Sequence, residues 1–230
     1  MSKRATIFIT LTIVVGSLFI VDSLTLHRDF ANVDDYAICF VLALLASTFK
    51  VRLPGLTGTI SASFLFILIA TAIFTFSETV LLAGSASIVQ SLWKTKRTPK
   101  AVQVAFNAAV LSISRSLAYR LARVPVIDDR GMIVLLGLAA CVYFTANTFL
   151  VSGVLSLIGN KSVLHVWRQC HLWSFPYYAV GALIASLVVA STRTVGWLTS
   201  LLILPLMYLV YVFYRNCVEH LTQSAPSPSA

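Results

Sequence analysis

From Ala5 to Tyr214 nearly every position is apolar, small or hydroxyl-bearing, and the charges gather in short clusters such as Lys94, Lys96, Arg97 and Lys100. A bilayer core is about 30 Å thick, and a helix needs about 20 mostly apolar residues to cross it. The spacing of the interruptions predicts eight spans, at about 5–24, 36–52, 60–77, 79–93, 101–121, 132–158, 177–192 and 195–214. The expected fold class is therefore all-α, a polytopic transmembrane helix bundle forming one integral membrane domain over 1–215. The third and fourth spans are parted only by Ser77 and Glu78, which predicts a tight turn there. The second, fourth and seventh spans are short, and tilting, kinking or packing inside the bundle accommodates short segments. Residues 216–230 end in the polar run Thr222–Ala230 and read as a short disordered cytoplasmic tail. The basic start and the apolar run to Val21 read as an uncleaved signal anchor.

One segment follows a different pattern. Over residues 162–175, Val163, Val166, Trp167, Cys170 and Trp173 recur at helical spacing, and His165, Arg168 and Gln169 lie mostly off that face. This predicts an amphipathic helix lying in the membrane interface, ahead of Pro176.

Composition agrees with the pattern: 58% of residues are hydrophobic, 11% are charged, and mean hydropathy is +0.89. A soluble domain of this size needs a charged surface that this chain cannot build. The net charge of +9 does not call for a nucleic-acid partner, because basic residues collect on cytoplasmic loops, where they set orientation and meet anionic lipid. With both ends in the cytoplasm, eleven Lys and Arg residues fall inside and five outside, and most acidic residues fall outside. That asymmetry predicts a multi-pass protein of a bacterial inner membrane with cytoplasmic termini. Cys39, Cys141, Cys170 and Cys217 form no CxxC pair, which argues against a disulfide framework or a zinc site.

Polar residues inside a bilayer are costly and point to function. Arg115 lies within the fifth span, either as a pocket-lining cation or as an arginine snorkelling to the outer interface. Gln103, Asn107 and Ser114 share a face of the same span, with Arg115 beside it, and form either a pocket wall or interhelical hydrogen bonds. Asn147 in the sixth span needs a partner, Asn107 or a ligand. Gly137, Cys141, Thr145, Thr148, Ser152 and Ser156 predict a small-residue packing seam. Glu78 fits a helix cap or a proton-coupling carboxylate. The loop 50–61, with Pro54, Gly55 and Gly58, reads as a tight reversal or as an anion cradle. No nucleophilic triad, glycine-rich nucleotide motif or metal-binding spacing is present, and neither an enzyme nor a cofactor is expected.

Several stretches carry a resemblance. They are LLASTFKVRLPGLTGTISASFLFILIA (Leu44 to Ala70), Glu78, SIVQSLWKTKRTPKAVQVAFNAA (Ser87 to Ala109), ANTFLVSGVLSL (Ala146 to Leu157), VWRQCHLWSFPYYAVGALIASL (Val166 to Leu187) and LPLMYLVYVFYR (Leu204 to Arg215). Together they resemble the membrane-associated sensor regions of MASE type, which precede HD-GYP or GGDEF cyclic-di-GMP domains in bacterial signalling proteins. The resemblance implies a sensor. Residues 216–230 contain no HD pair, GYP or GGDEF motif, so the expectation is a free-standing module or a remnant without its output domain.

The leading expectation is a non-enzymatic membrane sensor or ligand-binding module. It would bind an unknown small-molecule or lipid ligand among its spans at Gln103, Asn107, Arg115, Asn147 and Glu78. Its expected partners are the lipid bilayer and a signalling protein or a second copy forming a homodimer. The alternative is a small transporter or substrate-capture subunit, which short broken segments and a midplane polar stripe also fit.

Overall fold

The computed structural model describes residues 2–25, 33–52, 59–93, 98–122, 131–170 and 174–195, together with Val212 and Asn216. Eight helices occur among these: α1 (Lys3–Thr25), α2 (Val33–Thr48), α3 (Ser63–Ile73), α4 (Phe76–Leu92), α5 (Ala101–Ala122), α6 (Met132–Gly159), α7 (Val163–Cys170) and α8 (Phe175–Val195). Between α2 and α3 a short antiparallel ribbon, β1 (Lys50–Arg52) with β2 (Thr59–Ser61), pairs Lys50 with Ser61, Val51 with Ile60 and Arg52 with Thr59. The reversal expected over 50–61 is thus a hairpin, a small strand element that the hydropathy pattern did not announce.

The helical class holds, but the number of membrane-capable helices is smaller than expected. Three helices, α1, α5 and α6, are long and apolar enough to cross a membrane, against the eight spans expected. For α2, α3 and α4 the reason is length. At 1.5 Å per residue, the 11 residues of α3 extend about 16 Å, roughly half of a bilayer core. The expected span at 195–214 lies outside the described residues, apart from Val195 and Val212.

The break between the third and fourth segments also moves. It falls at Phe74–Thr75 rather than at Ser77–Glu78. The Phe74 N–H closes α3 on the Ala70 carbonyl at 2.9 Å. Thr75 then opens α4 as its N-cap, and Glu78 is the third residue of the helix. A Thr followed three residues later by Glu is a capping box, and here both halves form.

Within the bundle, α5 packs on α1, α4 and α6, while α6 also contacts α7 and α8. α3 touches α2, α4, α5, α6 and α8, and every residue from Ser63 to Thr71 is buried. A helix that is apolar on all sides is satisfied only when other elements surround it. Aromatic side chains fill the space around it. Phe64 of α3 meets Tyr178 of α8 at 4.4 Å and Tyr143 of α6 at 5.1 Å between ring centroids.

Small residues set the closest approach. A Cβ on Gly16 of α1 would lie 2.5 Å from Ala109 Cα and 2.9 Å from its carbonyl oxygen on α5. Only glycine permits that crossing. On α6 the expected seam is buried in one half only. Thr148, Ser152 and Ser156 are buried, whereas Cys141 and Thr145 are exposed. α6 ends at Asn160 in the left-handed conformation (φ 48°), a common way to stop a helix.

The short helix α7 matches its amphipathic pattern. Val166 is buried, and Leu164, His165 and Arg168 are exposed. Trp167 lies between, packs on Phe144 and Phe149, and donates its indole N–H to Thr148 Oγ1 at 2.8 Å.

Candidate functional site

The five residues expected at a site separate into an outer pair and an inner group. Gln103 and Asn107 form the outer pair and are exposed. Gln103 Oε1 accepts from the Lys100 N–H at 3.0 Å and so caps the start of α5. Asn107 Nδ2 donates to Ser91 Oγ at 3.1 Å and ties α5 to α4. Ser114, on the same face two turns on, is buried. The polar stripe therefore faces protein only at its Ser114 end. Gln103 and Asn107 satisfy themselves locally instead, which polar side chains in a bilayer must do.

Arg115, Glu78 and Asn147 form the inner group. Arg115 and Glu78 are both 0% exposed and are among the largest fully buried side chains. About 12 residues of α5, or some 18 Å, separate Arg115 from Gln103, so one small ligand cannot contact both.

Arg115 sits with its guanidinium carbon 5.1 Å from the centre of the Tyr119 ring, one turn along α5. A cation over an aromatic face gains electrostatic stabilisation that grows as water is removed. Tyr119 in turn packs on Phe76 of α4 at 5.5 Å. Tyr143 of α6 lies within electrostatic range of the Arg115 charge. The arginine is enclosed by the bundle and does not snorkel to an interface.

Glu78 is buried in the first turn of α4. Its Oε2 accepts from the Thr75 N–H at 2.8 Å and from Thr75 Oγ1 at 2.9 Å. Its Oε1 accepts no hydrogen bond among the described residues. Tyr36 of α2 lies within electrostatic range of the carboxyl and packs edge-on against Phe74 at the helix break. Ser77 Oγ donates to the Ser23 carbonyl near the end of α1 at 2.6 Å. The capping reading of Glu78 is realised at the N-terminal end of α4.

Asn147 does not meet Asn107. Its Nδ2 donates to the Tyr178 hydroxyl at 3.4 Å. Tyr178 stands against Tyr143 at 6.2 Å, Tyr177 at 5.9 Å and Phe144 at 5.0 Å. Tyr177 donates its hydroxyl to the Ser61 carbonyl of β2 at 3.1 Å. Asn147 and Arg115 thus relate to neighbouring tyrosines, Asn147 to Tyr178 and Arg115 to Tyr143. The tyrosines were not among the expected site residues. The signal that marks them is a phenol inside an apolar run, as at Tyr143 and the Tyr177–Tyr178 pair after Pro176, because a buried tyrosine needs a partner for its hydroxyl.

Two further hydroxyls, Ser112 and Ser152, are buried and form no hydrogen bond among the described residues. No group of three His, Cys, Asp or Glu side chains that could hold a metal ion occurs among the described residues. Comparisons with protein-family models, curated proteins and solved structures give no match.

Proposed function

We propose that this chain is a non-enzymatic membrane sensor module of bacterial signalling type, which binds a small or lipidic ligand between α4, α5, α6 and α8. The observation that carries the reading is the full burial of two charged side chains, Arg115 and Glu78, with Arg115 beside Tyr119 and Tyr143. Charges in the interior of a membrane bundle are expensive and are kept where they serve a function. A ligand with an anionic or hydrogen-bonding group would meet Arg115 and Tyr143. Its arrival would shift α5 against α4, and that displacement is the signal a protein partner would read. The resemblance of Leu44 to Arg215 to MASE-type sensor regions supports the same reading.

In this reading the shorter helices complete an eight-span arrangement in the inner membrane, with both termini in the cytoplasm. Reporter fusions after Trp93, Asn160 and Asn216 test that topology, and all three should report cytoplasmic. Ligand binding is tested by thermal-shift screening of the purified chain against lipid extracts and small anions. A stabilising compound should lose its effect in Arg115→Gln and in Tyr143→Phe. If it stabilises both folded variants as well as the parent, the Arg115 pocket is wrong.

A second reading is favoured by one observation. α3 and α4 meet as two short helices at a buried break beside Glu78, the kind of discontinuous helix on which transporters build substrate sites. Uptake of labelled substrate by reconstituted protein would decide for transport.

A further inference from the structure

The surface between α4 and α5 carries a groove of about 460 Å³, lined by Ile88 and Leu92 of α4, Pro99, and Ala101, Val104, Ala105 and Ala108 of α5. The α5 residues fall at i, i+3, i+4 and i+7 and form one ridge of the helix. Three of the four are alanines, so the ridge is low. Ile88 and Leu92, one turn apart, are exposed and form the opposite wall. The volume is within the range of small-molecule sites, and the lining is apolar.

The groove reaches Leu92 and Pro99, on either side of the connection between α4 and α5. α4 and α5 are joined by residues 93–100, which carry Lys94, Lys96, Arg97 and Lys100. No acidic residue occurs between Glu78 and Asp128, so nothing in that stretch offsets this charge. Lys50 reaches the same end, where its ammonium donates to the Trp93 carbonyl at 2.5 Å. Lys100 is exposed immediately ahead of the first turn of α5, whose N-terminal amides and dipole favour an anion. Gln103 fixes that turn through its bond to the Lys100 N–H, and the Asn107–Ser91 bond holds the two walls together.

We propose that the α4–α5 groove is a binding site for an anionic phospholipid. One acyl chain lies along Val104, Ala105 and Ala108, and the phosphate is held at the basic end beside Lys100. A zwitterionic lipid fills the same groove but gains less from the basic end. This inference rests on bilayer embedding and not on the sensor reading, since Arg115 and Glu78 take no part in it.

The test is native mass spectrometry of the purified full chain with added dioleoyl phosphatidylglycerol or dioleoyl phosphatidylcholine. The wild type should retain phosphatidylglycerol at least about fivefold more strongly, because one basic group at an anionic lipid surface contributes about fivefold. The combined Lys94→Gln, Lys96→Gln, Arg97→Gln and Lys100→Gln variant should retain the two lipids equally. Lys100→Gln alone alters one exposed side chain and should lose a few-fold of the preference even where the combined variant gives no folded protein. Ala105→Phe fills the groove and should reduce retention of both lipids while circular dichroism stays unchanged. Equal retention of the two lipids by the wild type would overturn the proposal. So would a phosphatidylglycerol preference that Lys100→Gln leaves undiminished, or lipid retention that Ala105→Phe leaves unchanged, since the latter would be attraction to a basic surface without a groove.

Discussion

The crossing of α1 and α5 at Gly16 gives the sharpest test of the packing. In Gly16→Ala the new methyl would stand 2.5 Å from Ala109 Cα, whereas ordinary carbon contacts begin at about 3.5 Å. Backbone atoms cannot turn aside, so the helices must part by about 1 Å. A gap of that size forfeits up to about half of each dispersion contact across it. The contacts at stake are those of Ile9 with Phe106, Val110 and Val154, and of the Phe8 ring against Gly153. Overpacking of this kind costs about 1–3 kcal/mol. Against it stands the better helix propensity of alanine, about 1 kcal/mol in water, which shrinks in a bilayer because the separated helix is already helical. The net expectation is a loss of about 1–2 kcal/mol, read as a lower midpoint for unfolding in mixed detergent micelles. Gly84→Ala is the control. A Cβ there meets only Ser112 Oγ, at 3.8 Å, so that variant should be unchanged or more stable. Adding Ala109→Gly to Gly16→Ala should restore part of the loss but not all, since Ala109 Cα is itself in the way. A Gly16→Ala protein as stable as its parent would refute the close crossing.

Other expectations follow from single bonds. Thr75→Ala and Glu78→Ala should each cost about 1 kcal/mol by opening the capping box. Glu78→Gln keeps an acceptor for the Thr75 N–H and should be stable while losing any response that depends on the charge. Trp167→Phe removes the indole bond to Thr148 and should cost about 1 kcal/mol, with faster hydrogen exchange confined to α7. Asn147→Ala and Tyr178→Phe should show a coupling of about 0.6 kcal/mol in a double-mutant cycle, the size typical between membrane helices.

The helix positions were legible because a 20-residue apolar run and a polar interruption are local properties. α1, α5 and α6 follow directly from them. The break before α4 was misplaced because hydropathy sees Ser77 and Glu78 as the polar gap. The capping box instead uses Thr75, an uncharged residue beside Phe74, and sets Glu78 inside the helix. The depth of each polar group was not legible. Gln103, Asn107 and Ser114 are equivalent by helical spacing, yet their face of α5 is open at Gln103 and Asn107 and covered at Ser114. Arg115 was visible as a charge in an apolar run. Its enclosure depends on α4 and α6 crossing α5 at that level, a relation between distant segments that no single stretch encodes. The tyrosine layer is of the same kind, since Tyr143, Tyr178 and Phe64 meet only after three helices have assembled.

That assembly has an order in time. α3 is surrounded by its neighbours, and part of its cover comes from α8, where Tyr177 bonds to Ser61 across 116 residues of chain. At synthesis rates of about 5–20 residues per second, α8 emerges roughly 6–23 s after β2 and α3. During that interval the 11 residues of α3, too short to cross the bilayer alone, lack the side that α8 later supplies. The centre of the protein is therefore closed from its C-terminal part. A ribosome that stops before α8 would release a chain whose innermost helix is open on that side.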